Sequence, residues 1–301
     1  MKAIENYLSG FPVPYIVFDK ANALALYKPR DPFANKGNFG HALLLAGEYG
    51  KIGAALLASK ACLATGAGLL TTWIPACGYN IIQTSIPEAM VRTDDDEFHI
   101  TAFPSKLDGF HAAGIGPGIG THDETVYMLR NFLTSFHQTL VLDADALNII
   151  GRSKELLSAL HPNAIITPHP KEFDRLFGPS SNDLSRIELA KKMAVQYRII
   201  IVLKGHFTAV ASPDGQISIN SSGNAGMAKG GSGDALTGII TGLLAQSYSP
   251  VHAATLGVFI HGCAGDMAAA IHSEESMLAT DLIQCIGKIF LEWKQEPGHK
   301  P

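Results

Sequence analysis

The amino-acid sequence predicts an α/β fold, a mainly parallel sheet with helices on both faces, and three observations predict it. Short β-rich apolar runs alternate with helix-compatible segments over most of the chain, which is the rhythm of repeated strand–helix–strand units. Hydrophobic residues make up 47% and charged residues 17% of the 301 positions, enough to bury a large core in one domain. Glycine-rich segments follow several of the apolar runs, at the strand ends where open α/β sheets take their ligands.

The elements follow in order. Residues 1–36 read as a polar, proline-containing lead-in, ending in Lys36-Gly37-Asn38-Phe39-Gly40 just before an apolar run, and 37–295 as a single domain. Strands are expected at 41–46, 69–74, 110–115, 139–142, 164–167 and 199–203. Residues 53–63 predict a helix of small residues packed closely on the sheet, stopped by Thr65-Gly66-Ala67-Gly68. A hairpin is expected where 208–211 and 216–219 flank Ser212-Pro213-Asp214-Gly215. Ser249-Pro250 and Thr280-Asp281 mark helix starts. Residues 251–271 are apolar enough to consider as a membrane span, but His252, His261 and Asp266 lie inside them, so a buried helix is the expectation.

Charge and cysteine content exclude some functions. A net charge of -4 and a pI near 6.3 leave no basic surface for nucleic acid or anionic lipid, the densest basic stretch being Lys191-Lys192. Cys62, Cys77, Cys263 and Cys285 have no CxxC spacing, which points to reduced thiols and a cytoplasmic setting. Glu5, Asp19, Pro12 and Pro14 interrupt any secretory pattern.

The segment with most chemical content is Ala228-Lys229-Gly230-Gly231-Ser232-Gly233-Asp234, followed at once by an apolar helical stretch. Such glycines let several N–H groups face one spot at the positive end of a helix, forming an anion hole. Asp234 at that helix start either caps it or accepts a proton from a substrate hydroxyl held against a phosphate. Lys204-Gly205-His206-Phe207-Thr208 follows an apolar strand, and there Lys204 can serve phosphate and Thr208 can bond phosphate or ribose, or the segment is a plain turn. In Thr167-Pro168-His169-Pro170 two prolines fix the backbone around His169, which suits an aimed side chain as well as a rigid loop. His161 and His169 lack a third ligand at useful spacing, so no metal-ligating residues are assigned. Residues 114–120 break the GxGxxG pattern at Thr121, and no GxxxxGK[ST] occurs. Asp143 and Asp145 either hold Mg2+ through water or cap the next helix, capping being expected of at least one.

Together these segments resemble the NAD(P)H-hydrate dehydratase family of the ribokinase-like superfamily. The resemblance runs from Lys36-Gly37-Asn38-Phe39-Gly40 through the Gly-Pro-Gly, Leu-Asp-Ala-Asp-Ala-Leu, Thr-Pro-His-Pro and Leu-Lys-Gly segments to Gly-Gly-Ser-Gly-Asp, over about 36–290. It implies a ribokinase-like fold and a metabolite-repair reaction, dehydration of 6-hydroxy NADH or NADPH coupled to loss of one phosphate from ADP or ATP, with Mg2+. It further implies that Ala54, Gly118, His169 and Asp234 contact the hydrate, that Lys204, Gly205, His206, Phe207, Thr208 and Gly233 contact nucleotide, and that Asp234 is catalytic. A homo-oligomer, with a tetramer as the candidate state, is implied too. Lys171 departs from the family glycine after Thr-Pro-His-Pro. The lead-in is too short for the epimerase domain often fused upstream, so a separate epimerase is expected.

Two other readings remain open on the sequence. A kinase of the same superfamily acting on a vitamin-precursor alcohol such as a hydroxyethylthiazole shares Gly233 and Asp234 but makes a stable phosphate ester. A non-catalytic nucleotide-binding protein would show no turnover.

Overall fold

Residues 2–296 are described by the computed structural model. Their strands are β1 (Ile16–Phe18), β2 (His41–Leu45), β3 (Leu69–Ile74), β4 (Met90–Thr93), β5 (Ala112–Ile115), β6 (Thr139–Leu142), β7 (Ile165–Ile166), β8 (Ile200–Leu203), β9 (Ala209–Ala211) and β10 (Ile217–Asn220). All ten join one sheet in the order β1-β10-β9-β8-β7-β6-β5-β2-β3-β4. From β4 across to β8 every pairing is parallel, and β9 alone runs against its neighbours.

Alternation of side chains along each strand feeds two cores. Leu44, Val141, Ile165 and Ile200 face the helices Ile52–Thr65, Ser232–Ala245, Pro250–Ser276 and Ala279–Gln295. Leu43, Leu142, Ile166 and Ile201 face Asp123–Ser135, Ala144–Arg152, Pro170–Phe177 and Asp183–Tyr197. Both faces are therefore apolar, which explains strands that read as unbroken hydrophobic runs. Pro250–Ser276 is long and apolar enough to cross a membrane, yet 61% of its most apolar window is buried inside the protein. It packs as a core helix capped by Ser249, whose side chain accepts from His252 N.

The helix of small residues spans Ile52–Thr65 and ends on Gly66 in the left-handed region at φ 111°. It crosses Ser232–Ala245 so closely that a Cβ on Gly238 would lie 2.1 Å from the Ala58 carbonyl oxygen. The last helix begins at Ala279 instead of at Thr280-Asp281, because Asp281 reaches back from inside the first turn to accept the Leu278 N–H. The hairpin forms as expected around a turn with Gly215 at φ 84°.

Two strands are additions to the sequence reading. β4 is an edge strand whose residues alternate between exposed and half-buried, so it lacks the apolar run that marks the others. β1 lies within the lead-in and pairs parallel with β10, and it is followed by the helix Lys20–Leu26, which Asp19 closes in a capping box.

Candidate active site

Because β2, β5, β6, β7 and β8 are adjacent and parallel, their carboxyl ends line one edge of the sheet. The chain leaves that edge at Ala46, Gly116, Asp143, Thr167 and Lys204. Lys204 Nζ donates to Asp143 Oδ1 at 2.8 Å. Asp143 is 1% exposed, and its other oxygen accepts from Thr237 Oγ1 at 3.0 Å. Burial opposes the Lys204 charge, but Asp143, Glu172 and Asp234 outweigh it and hold the ammonium above its usual range. Lys204 is thus a fixed cation and not the exposed residue of a plain turn.

The glycine-rich turn lies over this pair. A Cβ on Gly233 would stand 3.4 Å from both Asp143 Oδ2 and Lys204 Nζ. Gly231 occupies the cap position of Ser232–Ala245 at φ 90°, and no side chain caps the helix. Asp234 is therefore free of the capping role. Burial first, then the charges of Asp143 and Asp145, push its carboxyl up to about 6, with Lys204 pulling the other way. A carboxylate poised near neutrality suits a general base.

Capping by Asp143 or Asp145 does not occur. Asp143 sits at the cap position of Ala144–Arg152, but its carboxylate is taken up by Lys204 and Thr237. Asp145 accepts from the Gly120 N–H at 3.0 Å. A charged donor and a buried hydroxyl satisfy Asp143 better than a backbone cap bond would.

His169 instead is the cap. Its Nδ1 accepts from Glu172 N at 3.2 Å while Glu172 Oε2 accepts from His169 N at 2.9 Å, a capping box at the start of Pro170–Phe177. With Nδ1 accepting, the proton of the neutral ring sits on Nε2, and burial and Lys204 lower the ring's proton affinity. Glu172 is buried and lifted to about 7, by desolvation above all. Lys171 is an exposed residue in that helix and needs no glycine-only backbone.

A cavity of about 720 Å³ opens beside these groups, a size that suits a nucleotide-sized ligand. His169, Lys204, Gly205, His206, Thr208 and Gly233 line it. Phe207 does not; its ring packs edge-on against Tyr7 at 5.2 Å. Ala54 and Gly118 lie elsewhere and together, a Cβ on Gly118 falling 3.1 Å from that of Ala54. They adjoin Lys51, on the rim of a hollow of about 210 Å³ lined also by Glu48, Gly120, His122 and Asp145. Asp145 acts on Asp234, which stands within electrostatic reach of both spaces.

Thr237, Glu172 and His261 escaped the sequence reading. Only the spacing of His169-Pro170-Lys171-Glu172, with an acidic residue at the third helical position, offered a signal. Among the described residues no three His, Cys, Asp or Glu side chains converge to hold a metal ion. Asp143, Glu172 and Asp234 act on the ammonium of Lys204, while Asp145 acts on Asp234 and lies 3.8 Å from Lys51 Nζ. Such a site fits a cation that arrives with phosphates and water better than one caged by protein.

A family model described as NAD(P)H-hydrate dehydratase matches residues 42–288. The chain belongs to this family. An ADP-dependent (S)-NAD(P)H-hydrate dehydratase of Bacillus subtilis is 35% identical, over 88% of this chain and 93% of its own length. A bifunctional NAD(P)H-hydrate repair enzyme of Moorella thermoacetica is also 35% identical, over 89% of this chain, which spans 52% of that relative's length. Thus the chain covers about half of the bifunctional relatives it matches. A Bacillus subtilis ADP/ATP-dependent NAD(P)H-hydrate dehydratase co-crystallised with ATP/Mg2+ superposes with TM-score 0.81 at 31% identity, covering 93% of this chain and 99% of that one. A ribokinase-like superfamily protein of Enterococcus faecalis gives 0.83 at 27% identity, covering 94% and 97%. A hydroxyethylthiazole kinase from Pyrococcus horikoshii shares the fold alone, at TM-score 0.57 and 16% identity over 82% of this chain and 87% of that one.

Proposed function

We propose that the chain repairs nicotinamide cofactor, converting the 6-hydroxy hydrates of NADH or NADPH back to the reduced cofactors while ADP (or ATP) yields AMP (or ADP) and phosphate. The observation that carries this reading is Asp234, an uncapping carboxylate raised to about 6, placed on the glycine-rich helix start beside Lys204. Hydroxide leaves a ring carbon poorly and phosphate leaves well. Asp234 takes the proton from the ring hydroxyl as that oxygen attacks the terminal phosphoryl group and the shorter nucleotide departs. Phosphate then leaves the ring carbon, a proton is lost from the neighbouring carbon, and the ring double bond returns.

Lys204 and the amides of the Gly230–Gly233 turn stabilise charge on the transferred group. Nucleotide occupies the larger cavity along Gly205, His206 and Thr208, with Phe207 contributing backbone only. The hydrate reaches Asp234 from the side of Ala54 and Gly118, with His169 at its other flank. A magnesium ion would neutralise phosphate charge, and Asp143 and Asp145 are the residues that would hold it through water. The enzyme works in the cytoplasm as a homo-oligomer, on hydrate that an epimerase activity of the same pathway keeps in the reactive epimer.

Phosphorus NMR of a reaction with hydrate and nucleotide tests the proposal. Inorganic phosphate and the shortened nucleotide appearing together with the regenerated reduced cofactor, and no other phosphorus species, support it. A lasting phosphate ester would establish a kinase instead.

A further inference from the structure

We propose that His261 is a positioning residue for the phosphate-handling turn, its Nε2–H clamping the Ser232 carbonyl so that the amides before Asp234 stay aimed at one point. The inference rests on the function proposed above and names a residue to which that function assigns no role. His261 lies in the buried middle of Pro250–Ser276, 9% exposed, on the wall of the larger cavity. Its Nε2 stands 2.9 Å from Ser232 O and 3.2 Å from Ser232 Oγ. A carbonyl oxygen only accepts, so the ring nitrogen facing it carries the proton. Burial drives the ring's pKa down to about 4, against the pull of the Ser232 carbonyl, so the imidazole stays a neutral donor at neutral pH.

The turn needs such a brace. Its cap residue, Gly231, has no side chain, and among the described residues no side-chain cap bond closes the helix. Gly230 has open space around its α-carbon, and Gly231 adopts a left-handed conformation that other residues resist. Outside the turn, Lys229 Nζ donates to Met277 O at 2.9 Å and to Glu275 O, which ties the approach to the loop. His261 supplies the second tie, at Ser232, two residues before Asp234. Glycines lower the cost of bending and equally of drifting, so preorganised amides require a fixed partner.

The test compares His261→Leu, which removes the donor at similar volume, with His261→Gln, whose amide nitrogen reaches as far as Nε2. Thermal melting establishes that each variant folds. If His261→Leu does not fold, His261→Asn, polar but too short to reach Ser232, takes its place. Calorimetry with ADP and with AMP reads the turn without requiring turnover, since only ADP carries the terminal phosphate. We expect His261→Leu to lower the ratio of ADP to AMP affinity about tenfold, equivalent to about 1.4 kcal/mol, and His261→Gln to recover most of it. In turnover, kcat should fall in the leucine variant with the KM for hydrate little changed. An unaltered affinity ratio, or equal loss in the leucine and glutamine variants, overturns the assignment. Absence of hydrate turnover in the wild type would overturn the proposed function, while the affinity ratio would still decide the role of His261.

Discussion

Lys204 and Asp143 leave the ends of β8 and β6, two strands separated by β7, and meet at 2.8 Å beneath the Gly233 turn. One ammonium therefore serves two purposes, compensating a buried carboxylate and offering positive charge to phosphate. Lys204→Ala should weaken nucleotide binding and also destabilise the fold by roughly 2–3 kcal/mol, less than for a fully buried pair because Lys204 retains some exposure. Titration calorimetry and denaturant unfolding check the two effects separately. Unchanged nucleotide affinity would leave Lys204 a purely structural partner of Asp143.

Asp234→Asn should lower kcat by on the order of a hundredfold or more while nucleotide still binds, since amide replaces proton acceptor at equal size. The variant should also melt higher above pH 6. A carboxyl raised to about 6 in the folded state contributes stability that is present below its unfolded value near 4 and lost as pH rises through the folded value. Asparagine has no such loss. Its advantage should be absent at pH 3.5, grow to about pH 6 and then stay level; an advantage independent of pH would contradict the raised carboxyl.

The acid limb of kcat against pH should fall near 6 in the wild type. Lys204 pulls the Asp234 value down, so removing that charge should move the limb to higher pH. A shift to lower pH in Lys204→Met would contradict the arrangement.

His169→Ala removes both a group facing the cavity and the cap of Pro170–Phe177. Stability should drop by about 1 kcal/mol for the cap, and KM for the hydrate should rise more than KM for nucleotide. His169→Asn keeps a capping oxygen and should restore stability without restoring the hydrate KM. Recovery of both would confine His169 to its capping role.

Much of this was legible in the sequence for a physical reason. Strands buried on both faces write themselves as runs such as Ile199-Ile200-Ile201-Val202-Leu203, and glycines mark where backbone crowds backbone, as at Gly116, where a Cβ would lie 1.9 Å from Asp143 O. β4 escaped because four residues at a sheet edge need no apolar run, and β1 because its apolar run, Ile16-Val17-Phe18, is only three residues long and follows Pro12 and Pro14. The Lys204–Asp143 pair, 61 positions apart, and the His261–Ser232 contact, 29 apart, depend on tertiary packing that no local spacing encodes. The cap at His169 was hidden because imidazole stood where Ser, Thr, Asp or Asn is the expected cap.

The most direct test is to incubate the purified chain with the hydrate of NADH or NADPH and magnesium, with ADP and ATP in parallel. Reduced-nicotinamide absorbance and free phosphate are followed in the same cuvette. Both should rise together in one-to-one proportion with at least one nucleotide, and neither should rise with Asp234→Asn. Phosphate release without recovery of the absorbance, or recovery that needs no nucleotide, would contradict the proposed reaction.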